Sequence, residues 1–306
     1  MDSSASELIV HDFQPFFKVY KDGRIERYMV SNYAPPGFDP KTEVQSKDVA
    51  ISAESNVSAR IFLPKVTGRP DRKFPLLVHY HGGGFCGGSA FGSICHSFLN
   101  TFVSMANVVA VSVDYRLAPE HPLPIAYDDA WLGLQWVVSH ANGHGPDPWL
   151  NEHVDFSKVF LAGESAGANI AHDVALRASV TRLDDGVKIV GLLLVHPFFG
   201  RKEPDEMYKY LCPTSSGSDD DPRLNPGVDP RLPKLCCERV LVCVAEKDWL
   251  RDRGKGYYDS LVNSGWGGVA EFVETQDADH CFFLFDPSHH KAEPLRRKFA
   301  SFINDD

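Results

Sequence analysis

Short apolar runs recur along the chain, each followed by a turn or by a stretch whose apolar positions lie three and four residues apart. The clearest runs are Phe74 to Tyr80, Val108 to Val113, Val159 to Ala162, Val187 to Val195 and Val240 to Ala245. Runs of this length bounded by turn signals predict strands buried on both faces. Helical spacing appears around Ser97 to Met105, Ala126 to His140, Ala168 to Ala178 and Arg253 to Ser264. Strands alternating with helices predict an α/β fold, with a mostly parallel central sheet flanked by helices. Such a sheet carries its chemistry at the carboxyl ends of its strands. A last helix over Lys291 to Ile303 gathers Ala292, Leu295, Phe299, Phe302 and Ile303 on one side, as docking onto the sheet requires. Upstream, Val57, Ala59, Ile61 and Leu63 alternate with Ser58, Arg60 and Phe62, which predicts a strand with one better-buried face.

Two segments break this rhythm. The first 45 or so residues mix aromatics, charges and turn signals, and read as a lid or arm. From Cys212 to Lys234 the chain is dense in Pro, Gly, Ser and Asp; a loop that long in a compact domain is usually functional. With the preceding Phe198 to Leu211, it reads as part of a cap inserted over a site. The expected organisation is one domain over residues 1–306, with cap elements at approximately 1–45 and 198–234. The acidic run Asp219 to Asp221 reads as a solvated turn, not a cation site.

Composition narrows the partners. The 306 residues are 43% hydrophobic and carry a formal charge of −10, which suits one large domain and disfavours nucleic acid or an anionic membrane. The first seven residues lack a basic n-region, and no window reaches the length of a transmembrane helix. Seven cysteines, an odd count without a CxxC pair, suit reduced thiols in the cytoplasm and argue against structural zinc. No P-loop or GxGxxG is present. No cofactor or metal is expected.

The chemistry centres on Gly163-Glu164-Ser165-Ala166-Gly167, between the apolar run Val159 to Ala162 and a helical stretch. A serine hydroxyl is a poor nucleophile, so an enzyme must hold it open beside a base; a sharp strand-to-helix turn does this. The turn brings neighbouring backbone close enough that side chains at 163 and 167 would collide. A base and an orienting acid are then required, each after a later strand. The run Val240 to Ala245 leads to Asp248, and Glu271 to Thr275 leads through Asp277 and Asp279 to His280. Asp252, Asp277 and Asp279 compete for the acid, but Asp248 lies closest to a strand end. His289 and His290 fall at a helix start, and His140 and His144 fall where Gly143 and Pro146 break any helix.

Acyl transfer also needs donors for the developing oxyanion. The amide of Ala166 is one. The loop His81-Gly82-Gly83-Gly84-Phe85, directly after the strand Phe74 to Tyr80, lets backbone approach a substrate without obstruction.

Together with Asp114-Tyr115-Arg116-Leu117-Ala118-Pro119-Glu120 and His196-Pro197, these motifs make the chain resemble the hormone-sensitive-lipase-like branch of the α/β-hydrolases, most closely the plant carboxylesterases. The resemblance runs from about Phe16 to the C-terminus. It implies an α/β-hydrolase core, a helical cap from the N-terminal arm and an insertion, and a Ser165, Asp248, His280 triad. It also implies Gly83, Gly84 and Ala166 as oxyanion donors, with His81 shaping its loop. Hydrolysis of neutral short-acyl or aryl esters is the expected activity. The same family holds 2-hydroxyisoflavanone dehydratases and the gibberellin receptors; the receptors lack the triad histidine, and His280 argues against that reading. Phe16, Phe85, Phe198 and Tyr208 are candidate pocket residues. The expected partner is a small-molecule ester, met by a monomer or weak homodimer.

Overall fold

In the computed structural model, which describes residues 8–67, 73–181, 183, 186–200 and 203–305, the apolar runs become strands of one nine-stranded sheet. The N-terminal arm precedes it as a separate antiparallel sheet of β1 (Ile9–Phe13), β2 (Phe17–Tyr20) and β3 (Ile25–Arg27). The arm does not form the helical cap expected of it: its described residues up to 45 hold strands and turns, with no helix. The local sequence explains why. Apolar Phe17 and Val19 are buried and flank Lys18 at a period of two, and Gly23, at φ 85°, closes the turn into β3.

The large sheet begins with β4 (Phe38–Asp39), β5 (Val44–Ser52) and β6 (Val57–Leu63), paired antiparallel. Then come β7 (Phe74–Tyr80), β8 (Val109–Asp114), β9 (Val154–Glu164), β10 (Ile189–Val195), β11 (Arg239–Ala245) and β12 (Val269–Thr275). The spatial order is β12-β11-β10-β9-β7-β8-β6-β5-β4, and every pairing from β12 to β8 is parallel. Eight helices are described: α1 (Ser93–Ala106), α2 (Ile125–Val138), α3 (Pro148–His153), α4 (Ala166–Val180), α5 (Glu206–Leu211), α6 (Arg251–Asn263), α7 (Phe282–Phe285) and α8 (Ala292–Asn304).

Alternation along the strands feeds two cores. Leu192, Leu194, Val240 and Val242 pack with Leu134 of α2, Val174 of α4 and Leu261 of α6. Leu193, Val195, Leu241 and Cys243 pack on the other face with Phe102 of α1 and Phe299 of α8. Burial on both faces is what makes these strands read as unbroken apolar runs.

Strand β6 departs from its expected pattern, because both of its faces are covered. Phe62 and even Arg60 are fully buried. The Arg60 guanidinium forks onto Asp48 at 2.6 and 2.9 Å and donates to the Ala34 carbonyl at 2.7 Å, which offsets the cost of burying its charge.

The segment from residue 203 to 234 holds α5 and two short 3-10 turns, Pro226–Val228 and Leu232–Lys234. Asp205 caps α5 by accepting from the Tyr208 amide. Asn169 of α4 ties the segment down, donating to the Phe198 and Arg223 carbonyls at 2.8 and 2.7 Å. Asp221 is spent on Ser215 and Arg223, a turn's own chemistry. Residues 1–7 and 201–202 of the expected cap elements lie outside the described residues.

Candidate active site

Because β7, β9, β11 and β12 run parallel, the loops leaving their carboxyl ends meet along one edge of the sheet. Three of the four segments singled out from the sequence leave these ends directly: residues 81–84 follow β7, Ser165 follows β9 and Asp248 follows β11. His280 follows β12 after a short turn.

Ser165 stands between β9 and α4 at φ 55° and ψ −122°, a conformation an L-residue holds only under constraint from its surroundings. Its amide donates to the Val195 carbonyl at 2.9 Å, and its carbonyl accepts from the Phe198 amide at 3.0 Å. The neighbouring glycines are sterically required. A Cβ on Gly163 would lie 2.3 Å from the Gly167 backbone, and one on Gly167 would lie 2.0 Å from the Tyr80 carbonyl oxygen. Ala166 opens α4, where the first amides have no intrahelical acceptor.

The Nδ1 of His280 donates to Oδ2 of Asp248 at 2.7 Å, and Oδ1 of the same carboxylate accepts from the Leu250 amide at 2.8 Å. The competing acids Asp252, Asp277 and Asp279 are exposed. Behind the pair lies His196, fully buried, with its Nδ1 accepting from the Cys281 amide at 2.8 Å. Burial, with His280 nearby, pushes His196 down to about 3, so it serves as a neutral acceptor steadying the residue after His280. His140 is likewise structural: its Nε2 accepts from the Asp147 amide. His144 is exposed.

The glycine loop is held from several sides. The Tyr115 hydroxyl donates to the His81 carbonyl at 2.6 Å and its ring stacks on the His81 imidazole. Gly83 accepts from the amides of Cys86 and Gly87 at 3.1 and 2.8 Å. Gly84 lies beneath the Phe16 ring, so close that a Cβ there would meet it at 2.7 Å. Burial pushes His81 down, which keeps it neutral with its Nδ1 donating to the Gly82 carbonyl.

A cavity of about 700 Å³ opens over these loops, and both Ser165 and His280 line it with Gly82 and Gly83. Its remaining wall is largely apolar, with Phe98, Trp249 and Leu284 from the core side and Met207 from α5 of the inserted segment. From the arm come Phe16 and the stretch 29–32. Of the pocket residues proposed from sequence, Phe16 is on this wall. Phe85, Phe198 and Tyr208 are not: each is almost completely buried, and their rings pack on one another 5.7 to 6.3 Å apart. They fill the joint between the inserted segment and the core, where aromatic area is stabilising in its own right.

The sequence reading missed Glu164, Cys281, Trp249 and Asp205, all on the cavity wall. Glu164 lay in plain sight inside the pentapeptide. Cys281 and Trp249 each follow a triad candidate directly, and adjacency in the chain was the available signal.

Residues 77–284 match the family described as alpha/beta hydrolase fold. Over 97% of its length the chain is 44% identical to probable carboxylesterase 13 of Arabidopsis thaliana, covering 98% of that protein. It is 41% identical to a 2-hydroxyisoflavanone dehydratase of Glycyrrhiza echinata, with 98% of each chain covered. Among solved structures, an esterase of Pyrobaculum calidifontis superimposes with a TM-score of 0.69 at 26% identity, covering 85% of this chain and 84% of that one. Sequence and fold agree: the chain belongs to the α/β-hydrolase fold family, in the company of the plant carboxylesterases.

Proposed function

We propose that the protein is a serine carboxylic-ester hydrolase in which Ser165 is the nucleophile, His280 the base and Asp248 the orienting acid. The observation that carries this reading is the 2.7 Å hydrogen bond from His280 to the buried Asp248, on a cavity that Ser165 also lines. His280 takes the Ser165 proton as the oxygen attacks the ester carbonyl carbon. The amides of Gly83, Gly84 and Ala166 receive the oxyanion. The imidazolium then protonates the departing alcohol, and the acyl-enzyme is hydrolysed by a water that the same histidine deprotonates. Similarity to named carboxylesterases and to a solved esterase supports the assignment.

The cavity favours a neutral substrate. No lysine or arginine is among its described lining residues, and the His79 imidazolium on its wall is neutralised by Glu164 at 2.9 Å, so an anionic ester would meet no free counter-charge. The volume suits an aryl or similarly sized alcohol part with a short acyl group. We read the arm, with the segment up to residue 234, as caps on a single domain. Seven free cysteines support a reducing, cytoplasmic setting, and among the described residues no helix is long and apolar enough to cross a membrane. The working form in this reading is a monomer or weak homodimer.

Short-chain aryl esters should be turned over, with Ser165→Ala removing that activity and a fluorophosphonate probe labelling Ser165 once per chain. Turnover that survives the substitution refutes the nucleophile. The similarity to a dehydratase gives the second reading, loss of hydroxyl and a proton as water from a hydroxyflavanone. A panel of esters and hydroxyflavanones assayed side by side separates the two.

A further inference from the structure

Glu164 sits one residue before the nucleophile, is buried, and spends its carboxylate on two partners from β7 and the loop that follows it. Oε1 accepts from the Gly82 amide at 2.7 Å, and Oε2 accepts from Nε2 of His79 at 2.9 Å. We propose that Glu164 is a positioning residue for acyl transfer, clamping the Gly82 amide so that the following amides of Gly83 and Gly84 are aimed at the developing oxyanion. The proposal rests on the hydrolytic reading above.

The clamp follows from peptide geometry. The His81 carbonyl and the Gly82 amide belong to one planar unit, with C=O and N–H pointing in opposite directions. Tyr115 holds the oxygen end at 2.6 Å and Glu164 holds the nitrogen end at 2.7 Å. The plane of that unit therefore cannot rotate. In the next unit the Gly82 carbonyl is engaged by His81 Nδ1 at 2.8 Å, which turns the Gly83 amide the other way. In the unit after that, the Gly83 carbonyl is taken by the amides of Cys86 and Gly87, which turns the Gly84 amide away from them. Three glycines in a row would otherwise be the least ordered part of the site. The reference frame for the clamp is the serine's own elbow, since a Cβ on Gly82 would lie 2.9 Å from the Glu164 carbonyl oxygen. Nucleophile and oxyanion donors are thereby registered to one another through a single side chain.

A bare carboxylate so close to an oxyanion would oppose the reaction. His79 answers this. Burial disfavours its charge, but Glu164 outweighs that and holds the imidazole up at about 10, while His79 holds Glu164 below the usual carboxylate range. The Ser112 hydroxyl, 3.0 Å from Nδ1, accepts the second imidazolium proton. The carboxylate thus positions the loop without presenting net negative charge to the cavity.

The test compares Glu164→Leu, Glu164→Asp and Glu164→Gln in the full-length protein, using an aryl ester for kcat and KM and a trifluoromethyl ketone as a mimic of the tetrahedral adduct. Asp keeps the charge but is one methylene too short to reach both partners. Gln keeps an acceptor for Gly82 and a donor toward a neutral His79. Leu and Asp are expected to lower kcat roughly tenfold to a hundredfold with KM within about twofold, and to weaken the ketone in parallel. Gln is expected to recover most of kcat. If Leu does not fold, the Asp and Gln pair decides alone. A folded Asp variant with wild-type kcat, a loss confined to KM or thermal stability, or Gln failing as badly as Asp would overturn the proposal. Ser165→Ala in the same assay keeps the readings apart: turnover that persists there refutes the parent mechanism, whereas serine-dependent turnover that ignores residue 164 refutes only the clamp.

Discussion

The Asp248 carboxylate, 2.7 Å from Nδ1 of His280, is sealed from solvent, while the imidazole it holds keeps a quarter of its side-chain surface open. A carboxylate can only accept, so the hydrogen bond selects the tautomer that leaves Nε2 unprotonated, 3.6 Å from the Cys281 sulfur, as the proposed base requires. Asp248→Asn offers an amide that can donate to Nδ1 and stabilise the opposite tautomer. We expect kcat to fall by about 10³ to 10⁴ with KM little changed, measured on an aryl ester. A loss under tenfold would show that Asp248 is not the orienting acid.

Two glycines test the steric account of the elbow. A Cβ at Gly167 would collide with the Tyr80 carbonyl at 2.0 Å, whereas exposed Gly256 in α6 has nothing within 4 Å of an added Cβ. Gly167→Ala should destabilise by several kcal/mol, the range of severe core disruptions. Gly256→Ala should stabilise by up to about 1 kcal/mol through helix propensity. Urea unfolding reads both, and similar effects at the two positions would contradict the packing.

The arm is latched to the core by Arg27, which forks onto Glu120 at 2.8 and 2.6 Å and donates to the Cys86 carbonyl at 2.6 Å. Arg27→Gln should loosen the wall that Phe16 contributes. Since the pair is partly exposed, the cost is about 1 kcal/mol, or roughly fivefold in KM, with kcat less affected. Unchanged KM would mean that the arm does not touch bound substrate.

Stability should depend on pH through His79. Its folded pKa lies near 10, above that of a free imidazole, so the folded chain binds the proton more tightly. The contribution is complete below about pH 6.5 and is lost as pH rises through the folded value. Wild-type unfolding free energy should therefore fall between about pH 7 and 10, with a slope approaching about 1.4 kcal/mol per unit. His79→Gln should lack that component; equal slopes in urea titrations of both proteins would show that His79 is neutral in the fold.

Much of this architecture is legible in the chain because it is local. The run Phe74–Tyr80 and the pattern Val57–Leu63 coincide with β7 and β6, and the elbow announces itself through glycines that only a close backbone approach requires. The arm was harder. Its aromatic and charged residues suit several local structures, and what decides for a three-stranded sheet is pairing among β1, β2 and β3.

Aromatic character likewise does not say which ring meets the cavity. Phe16 lies over Gly84 on the cavity wall, while Phe85, Phe198 and Tyr208 seal a joint behind it. Burial of an aromatic is favourable in either place, so composition carries no information on the choice.

By itself the sequence determined the alternation of strands and helices, the sharp turn that carries Ser165 and the order in which the proposed acid and base follow it. These depend on spacings of a few residues, and short-range sterics enforce them. Only the tertiary structure decided which aspartate meets His280 and that Glu164 reaches across to Gly82. Asp248 is 32 residues from its histidine and Glu164 is 82 from its glycine. Contacts at that separation exist because parallel strands bring their carboxyl ends together, and no local pattern encodes which side chains will then be within reach.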